Sequence, residues 1–239
     1  MSLIAIEGDM GTGKSMVAAA LAVEAQEEKG VAIYSTMHLY SAYDCLHEEE
    51  QGIENGMIQS IEKREGGKFI VGSKIHRHRK EFVCTYGEEV YYHEIEFEFL
   101  TLAKFYELFK ASEEEDSLLS NAIVLLDESY LFMDARASSS KVNRMFNSFV
   151  FQTRKRHVDV LMTTHRVDRL DRRVRESIDE TIRPRHNPET GTTRLTIISK
   201  NRSIRHKLLI GSNFYAFFDT EEKVVPTGKL FRIQEKDLV

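Results

Sequence analysis

One octapeptide, GDMGTGKS at residues 8–15, constrains this chain more than any other stretch. It follows the β-type run Leu3, Ile4, Ala5, Ile6 and leads into Met16, Val17, Ala18, Ala19, Ala20, Leu21, Ala22, which is helix-forming material. Strand, glycine loop and helix are the context a phosphate-binding P-loop requires. The spacing matches position by position: Gly8, four residues (Asp9, Met10, Gly11, Thr12), then Gly13, Lys14 and Ser15. The glycines permit positive φ, so successive backbone N–H groups can curl around a phosphate. The helix opening at Lys14, Ser15 and Met16 adds unpaired N–H groups and its positive dipole end at the same point. In this arrangement Lys14 reaches the β/γ-phosphates of ATP and the Ser15 hydroxyl ligates Mg²⁺.

The second half of the pattern is AIVLLDES at 122–129. The apolar run Ala122 to Leu126 suits a buried central strand of a parallel sheet. Asp127 and Glu128 then fall at its C-terminal end, where open α/β sheets bind ligands. Asp127 suits the Mg²⁺ shell beside Ser15. Glu128 suits a base that polarises a water for in-line attack, which points to hydrolysis rather than transfer to a substrate. Without the P-loop, the same strand end reads as a solvated acidic turn.

HVDVLMTTH, residues 157–165, reads as another buried strand, ending in Thr163, Thr164 and His165. Thr164 and His165 are candidates to contact the γ-phosphate or the attacking water; His165 reads equally well as a loop histidine without a role. Before this strand, Val142, Met145, Phe146, Phe149 and Val150 form a stripe at helical spacing that Ser139 or Ser140 can cap. That helix ends in Arg154, Lys155 and Arg156. Basic residues suit a helix C-terminus in any protein, but Arg154 and Arg156 are also candidates for arginine fingers reaching a nucleotide on a neighbouring subunit.

Alternating strands and helices around a P-loop predict a mostly parallel central sheet with helices on both faces. At 239 residues the chain is read as one P-loop domain, 1–239. Residues 44–66 read as helix and loop. The β-type runs between about 66 and 99 predict an inserted hairpin or small meander, and 192–239 a β-type C-terminal extension. Leu102, Phe105, Tyr106 and Phe109 are spaced as in a helix.

The composition, 41% hydrophobic and 30% charged with net charge −5, is that of an ordinary globular protein. No run approaches ~18 apolar residues, so no membrane span is expected. Without a basic n-region no signal peptide is read, and a reduced, intracellular setting is the default. Cys45 and Cys84 are isolated in sequence, and neither a zinc site nor a disulfide is suggested.

Local charge is more informative than the total. SKIHRHRKEF at 73–82 concentrates His76, Arg77, His78, Arg79 and Lys80 with little acid nearby. Read as a hairpin tip, Arg77, Arg79 and Lys80 would contact duplex phosphates without sequence preference. SKNRSIRHK at 199–207 is a second such segment. In 166–185, Val167, Leu170, Val174 and Ile178 predict one helix whose arginines and acids form a salt-bridged outer face.

Taken together, GDMGTGKS, LLDES and RKRHVDVLMTTHRVDRLDRRVRESIDETIRPR resemble the viral genome-packaging ATPases of the FtsK/HerA superfamily, relatives of zonula occludens toxin-like phage assembly ATPases. YAFFDTEEKV at 215–224 resembles the ending of small archaeal-virus members. The resemblance implies a RecA-like ASCE P-loop fold and ATP with Mg²⁺ as cofactors. It implies a homo-oligomeric ring, a hexamer or pentamer, that drives double-stranded DNA into a preformed capsid. Capsid vertex proteins are then partners, and the infected-cell cytoplasm or the virion is the location. The family carries Gln as its sensor where this chain has His165.

Three other functions fit parts of the pattern. A secretion or host DNA-processing ATPase on this fold would share the motor. A non-catalytic assembly factor would have no need of intact Lys14, Ser15, Asp127 and Glu128. Type II thymidine kinases share the glycine pattern but carry a zinc site of paired cysteines, which this spacing does not supply.

Overall fold

The computed structural model describes residues 2–47, 74–82, 84–85, 87–111, 119–131, 133–137, 140–210 and 214–219. Its frame is an eight-stranded sheet of β1 (Leu3–Glu7), β2 (Ala32–Ser35), β6 (Phe97–Phe99), β7 (Ala122–Leu126), β8 (Val158–Thr164), β9 (Glu180–Asn187), β10 (Thr192–Ser199) and β11 (Ile204–Ile210). Their order across the sheet is β11-β10-β9-β1-β8-β7-β2-β6. From β9 through β6 neighbouring strands run parallel; β10 and β11 close one edge as an antiparallel pair.

β7 shows why this sheet is central. All five of its residues are buried, and the four from Ile123 to Leu126 alternate between two cores. Ile123 and Leu125 face the core of α1 (Lys14–Lys29), whereas Val124 and Leu126 face that of α2 (Leu102–Ala111), α3 (Lys141–Gln152) and α4 (Arg172–Ser177). Ala18, Ala19, Ala20 and Ala22 bring α1 close to the sheet. On the other face Phe105 stacks on Phe146 at 4.1 Å and meets Phe149 edge-on at 5.0 Å. The stripe expected on α3 is present, and the Ser140 hydroxyl accepts from the Asn143 N–H at the helix start.

The β-rich insertion is a second sheet of β3 (Ala42–His47), β4 (Lys74–Arg79) and β5 (Gly87–His93). Their order is β4-β3-β5. Three expectations are corrected here. The start of 44–66 is strand, because Ala42 to His47 pairs on both sides with β4 and β5. Residues 97–99, grouped with the insertion by composition, instead join the main sheet beside β2. Residues 74–79 of the basic segment are a paired strand rather than a projecting tip. Residues 48–66, the run KFIVG and residues 220–239 lie outside the described residues.

The single helix expected over 166–185 is also corrected. Its helical part is α4, started by the Asp171 carboxylate accepting from the Arg173 N–H, and it ends before Ile178. Thr181, Ile182 and Pro184 then continue as β9, paired with β1 and β10. β-branched residues and a proline favour extended backbone over helix. Among the described residues no helix is long and apolar enough to cross a membrane.

Candidate nucleotide site

The tips of β1, β8 and β7 lie side by side, because β8 inserts between the strand leading to the glycine loop and the strand ending in Asp127. Gly8 donates its N–H to the Thr164 carbonyl (3.2 Å), which ties the loop to β8. Gly11 and Gly13 have φ of 75° and 91°, the left-handed region where a side chain is strained. Gly13 is the residue before α1, so the helix N–H groups open directly into the loop. Thr12 closes the loop with its hydroxyl on the Asp9 carbonyl (2.8 Å), while Met10 is 85% exposed at its crest.

Lys14 is buried, and its Nζ rests on the Asp9 carbonyl at 3.0 Å. A buried ammonium held by one neutral carbonyl is suited to an incoming anion, since a charge out of water needs a partner. The Ser15 hydroxyl donates to Asp127 Oδ1 at 3.0 Å. The two residues expected at Mg²⁺ are therefore already in contact, a hard oxygen pair of the kind that ion takes.

Glu128 sits at φ 50°, a left-handed conformation uncommon for a side-chain-bearing residue. The turn is held from β8: the Thr163 hydroxyl accepts from the Glu128 N–H (2.8 Å) and donates to Asp127 Oδ1 (2.7 Å). Ser129 Oγ donates to the Thr163 carbonyl at 2.7 Å. The Asp127 N–H donates to the Thr36 hydroxyl at 2.8 Å. Glu128 Oε2 is buried without a hydrogen-bond partner, and Oε1 lies 3.7 Å from His165 Nε2. Burial, then the nearby Glu128 charge, pushes the Tyr130 phenol above its ordinary range.

Lys14, Ser15, Asp127, Glu128 and His165 thus come together around the glycine loop. Thr164 meets the loop through its carbonyl, which accepts from Gly8, while its hydroxyl donates to the Arg166 carbonyl at 3.2 Å; the neighbouring Thr163 hydroxyl is the one that contacts Asp127. Arg154 and Arg156 lie just before the start of β8, whereas the glycine loop meets its end, roughly 20 Å away for a seven-residue strand. Arg154 pairs there with Asp179 at 2.8 Å and Arg156 donates to Gln152 at 2.6 Å. Neither reaches the nucleotide site of its own chain.

Sequence reasoning missed Thr36, Thr163 and Tyr130. It also missed His186 and Thr193, which close beneath Gly13 and bond to each other at 2.9 Å. Only Thr163 left a usable signal, the period-2 alternation that puts it on the opposite face from Met162 and Thr164.

The fold and this site define a P-loop ATPase. The profile of the ATPase family associated with various cellular activities (AAA) matches residues 4–185. The chain belongs to that family. No curated protein matches it. Among solved structures it is similar to the N-terminal domain of zonular occludens toxin from Neisseria meningitidis, at 12% identity over 92% of this chain and 100% of that one, with a TM-score of 0.51. It is also similar to the genome-packaging NTPase B204 of Sulfolobus turreted icosahedral virus 2 (12% identity, 86% and 96% coverage, TM-score 0.49). A further similar structure is the flagellar accessory protein FlaH of Methanocaldococcus jannaschii (15% identity, 88% and 87% coverage, TM-score 0.45).

Proposed function

We propose that this chain is an ATP-hydrolysing motor acting on double-stranded DNA, in the manner of a viral genome-packaging ATPase that fills a preformed capsid. The hydrolytic part is carried by one observation: Glu128, the next residue after the Asp127 that pairs with Ser15, presents a buried carboxylate oxygen without a hydrogen-bond partner. A base so placed can take a proton from a water lined up on the γ-phosphate. The Gly8–Gly13 amides and Lys14 would hold the β/γ-phosphates, and Ser15 with Asp127 would hold Mg²⁺, which neutralises charge on those phosphates when bound. Thr163 keeps Asp127 and Glu128 in register, and His165 stands where a shift of Glu128 would be felt.

The DNA part rests on the motif resemblance and on an exposed basic edge. Arg202, Arg205 and Lys207 lie on the turn and edge strand formed by β10 and β11. This edge replaces 73–82 as the proposed duplex contact. Arg77 is bound to Asp44 (2.8 Å) and lies over the Phe217 ring; Arg79 donates to the carbonyls of Ala216 and Phe218. Lys80 stands 5.2 Å from the Tyr92 ring centre. The motor is a homo-oligomeric ring docked on capsid vertex proteins, and Arg154 and Arg156 act only across a subunit boundary.

The test is the ATPase rate with and without duplex DNA, alongside the oligomeric mass. Stimulation by DNA in a ring-sized assembly supports the proposal. A DNA-indifferent ATPase points instead to secretion or assembly work, and a monomer without turnover overturns the motor.

A further inference from the structure

Two cysteines with no sequence relation meet in the small sheet. The ligand atoms of Cys45, His78 and Cys84 all lie within 4.8 Å of one another. Cys45 comes from β3, His78 from the adjacent strand β4, and Cys84 from the turn that follows. We propose that these three side chains form a metal site for a thiophilic divalent cation, Zn²⁺, separate from the nucleotide site.

The local construction is specific to bringing these groups together. β3 alternates: Asp44 turns to Arg77 and His93, whereas Tyr43 and Cys45 turn to the opposite face, where His78 stacks 5.6 Å from Tyr43. A β-bulge between β3 and β5 falls at Asp44/Cys45, a device that re-aims side chains. Tyr43 then pins the turn above: its hydroxyl accepts from the Cys84 N–H at 2.7 Å and donates to the Phe82 carbonyl. Gly87 leaves the room the sulfur needs. A Cβ there would stand 2.4 Å from Cys45 Sγ and 2.5 Å from the Leu46 carbonyl, so a larger residue would displace the sulfur.

Two sulfurs and an imidazole nitrogen are the donor set of a borderline-soft ion. Zn–S of about 2.3 Å and Zn–N of about 2.0 Å at tetrahedral angles put ligand atoms about 3.5–3.8 Å apart, so the trio, all within 4.8 Å, closes by about 1 Å at its widest pair to share one ion. Cys45 is buried, while Cys84 lines a cleft of about 470 Å³ with Glu89 and Lys80. Glu89 is the register partner of Cys45 on β5, so its carboxylate or a water from the cleft completes four-coordination. The physical gain is a cross-link: three strands make a small sheet of marginal independent stability, and metal binding adds directly to folding free energy.

The experiment uses the full chain, reduced and stripped with chelator, then given Zn²⁺ or Co²⁺ alone in excess Mg²⁺. The expected result is one Zn²⁺ retained per chain, and a Co²⁺ form with sulfur-to-cobalt charge-transfer and tetrahedral ligand-field bands. Cys84→Ser and His78→Asn, at the less buried positions, should each weaken Zn²⁺ by more than ~100-fold, beyond what removing a residue that merely supports a ligand costs. Nucleotide affinity, read in the same samples, should hold and report that the variants fold. Sub-stoichiometric Zn²⁺ in the wild-type chain overturns the proposal, as does unchanged affinity in both variants. A Cys45–Cys84 disulfide in chain purified without reductant, with no Zn²⁺ taken up after reduction, assigns the pair to a redox cross-link and also overturns it.

Discussion

At the scale of single residues, Glu128 and Thr163 do different work and should fail differently. Glu128→Gln removes the base but leaves Lys14, Ser15 and Asp127 in place. ATP binding should persist while turnover falls by ~10²-fold or more, read by equilibrium nucleotide binding and steady-state phosphate release. Thr163→Val keeps the shape of the side chain but strips Asp127 of a donor and leaves the Glu128 N–H without its acceptor. A hydrogen bond to a charged group is worth about 1.5–3 kcal/mol, so turnover should fall by ~10- to 100-fold with a raised Mg²⁺ requirement. Thr164→Val, whose hydroxyl donates to the Arg166 carbonyl, should do much less. Tyr130 supplies a pH probe of the same site. Its folded phenol ionises above the usual ~10, so its contribution to stability is fully present below that pH and is lost as pH rises through the folded pKa. Ring-carbon resonances of labelled tyrosine should show that high pKa moving down in Glu128→Gln, because one of its two main causes is then removed.

At the scale of elements, the three-stranded sheet is attached to the body by polar side-chain contacts as well as by apolar ones. Arg77 binds Asp44 at 2.8 Å, Asp44 meets His93 at 3.2 Å, and His93 meets Glu27 of α1 at 2.6 Å. Arg77 and Asp44 are both mostly buried. Breaking such a pair from one side strands the other charge, so Arg77→Met should destabilise the chain by about 2–4 kcal/mol in urea unfolding. The DNA salt slope should stay unchanged in that variant. The composition of 73–82 showed five basic or titratable residues in a row; their roles as ties depend on strand alternation and on the segment around Ala216 and Phe218, far away in sequence.

At the scale of the whole molecule, the nucleotide site and the proposed DNA-contacting edge lie on different parts of the sheet. The C-terminal ends of β1, β8 and β7 carry the nucleotide site, and the antiparallel β10–β11 pair exposes Arg202, Arg205 and Lys207 beside Ile204 and Leu208, which are 61% and 63% exposed. Arg205 is bound to Glu180, whereas Lys207 stands 3.9 Å from Glu24, so Arg202 and the more loosely held Lys207 are the better probes. Neutralising both should weaken duplex binding equally across sequences and reduce the log–log salt slope by about 0.9 for each phosphate no longer neutralised. DNA-free ATPase should barely change, since neither residue touches the glycine loop. A salt slope identical to wild type would remove this edge as the DNA-binding surface.

The glycine loop and the Asp127–Glu128 strand end were legible in the chain because their chemistry is local. Strand, tight turn and helix start are contiguous, so spacing alone positions Gly8 to Ser15 around a phosphate. A fully apolar five-residue run likewise announces a central strand. Contacts between distant segments were not legible. Which of Thr163 and Thr164 faces Asp127 depends on which side of β8 α1 packs, and packing is set by the two cores together. That Arg154 and Arg156 stand at the far edge follows from the parallel direction of β8 beside β1 and β7. Cys45 and Cys84 looked unrelated because nothing in their spacing records that β3 pairs with β4. Only the closed sheet, with a bulge, a tyrosine tie and a glycine gap, brings their sulfurs to one imidazole.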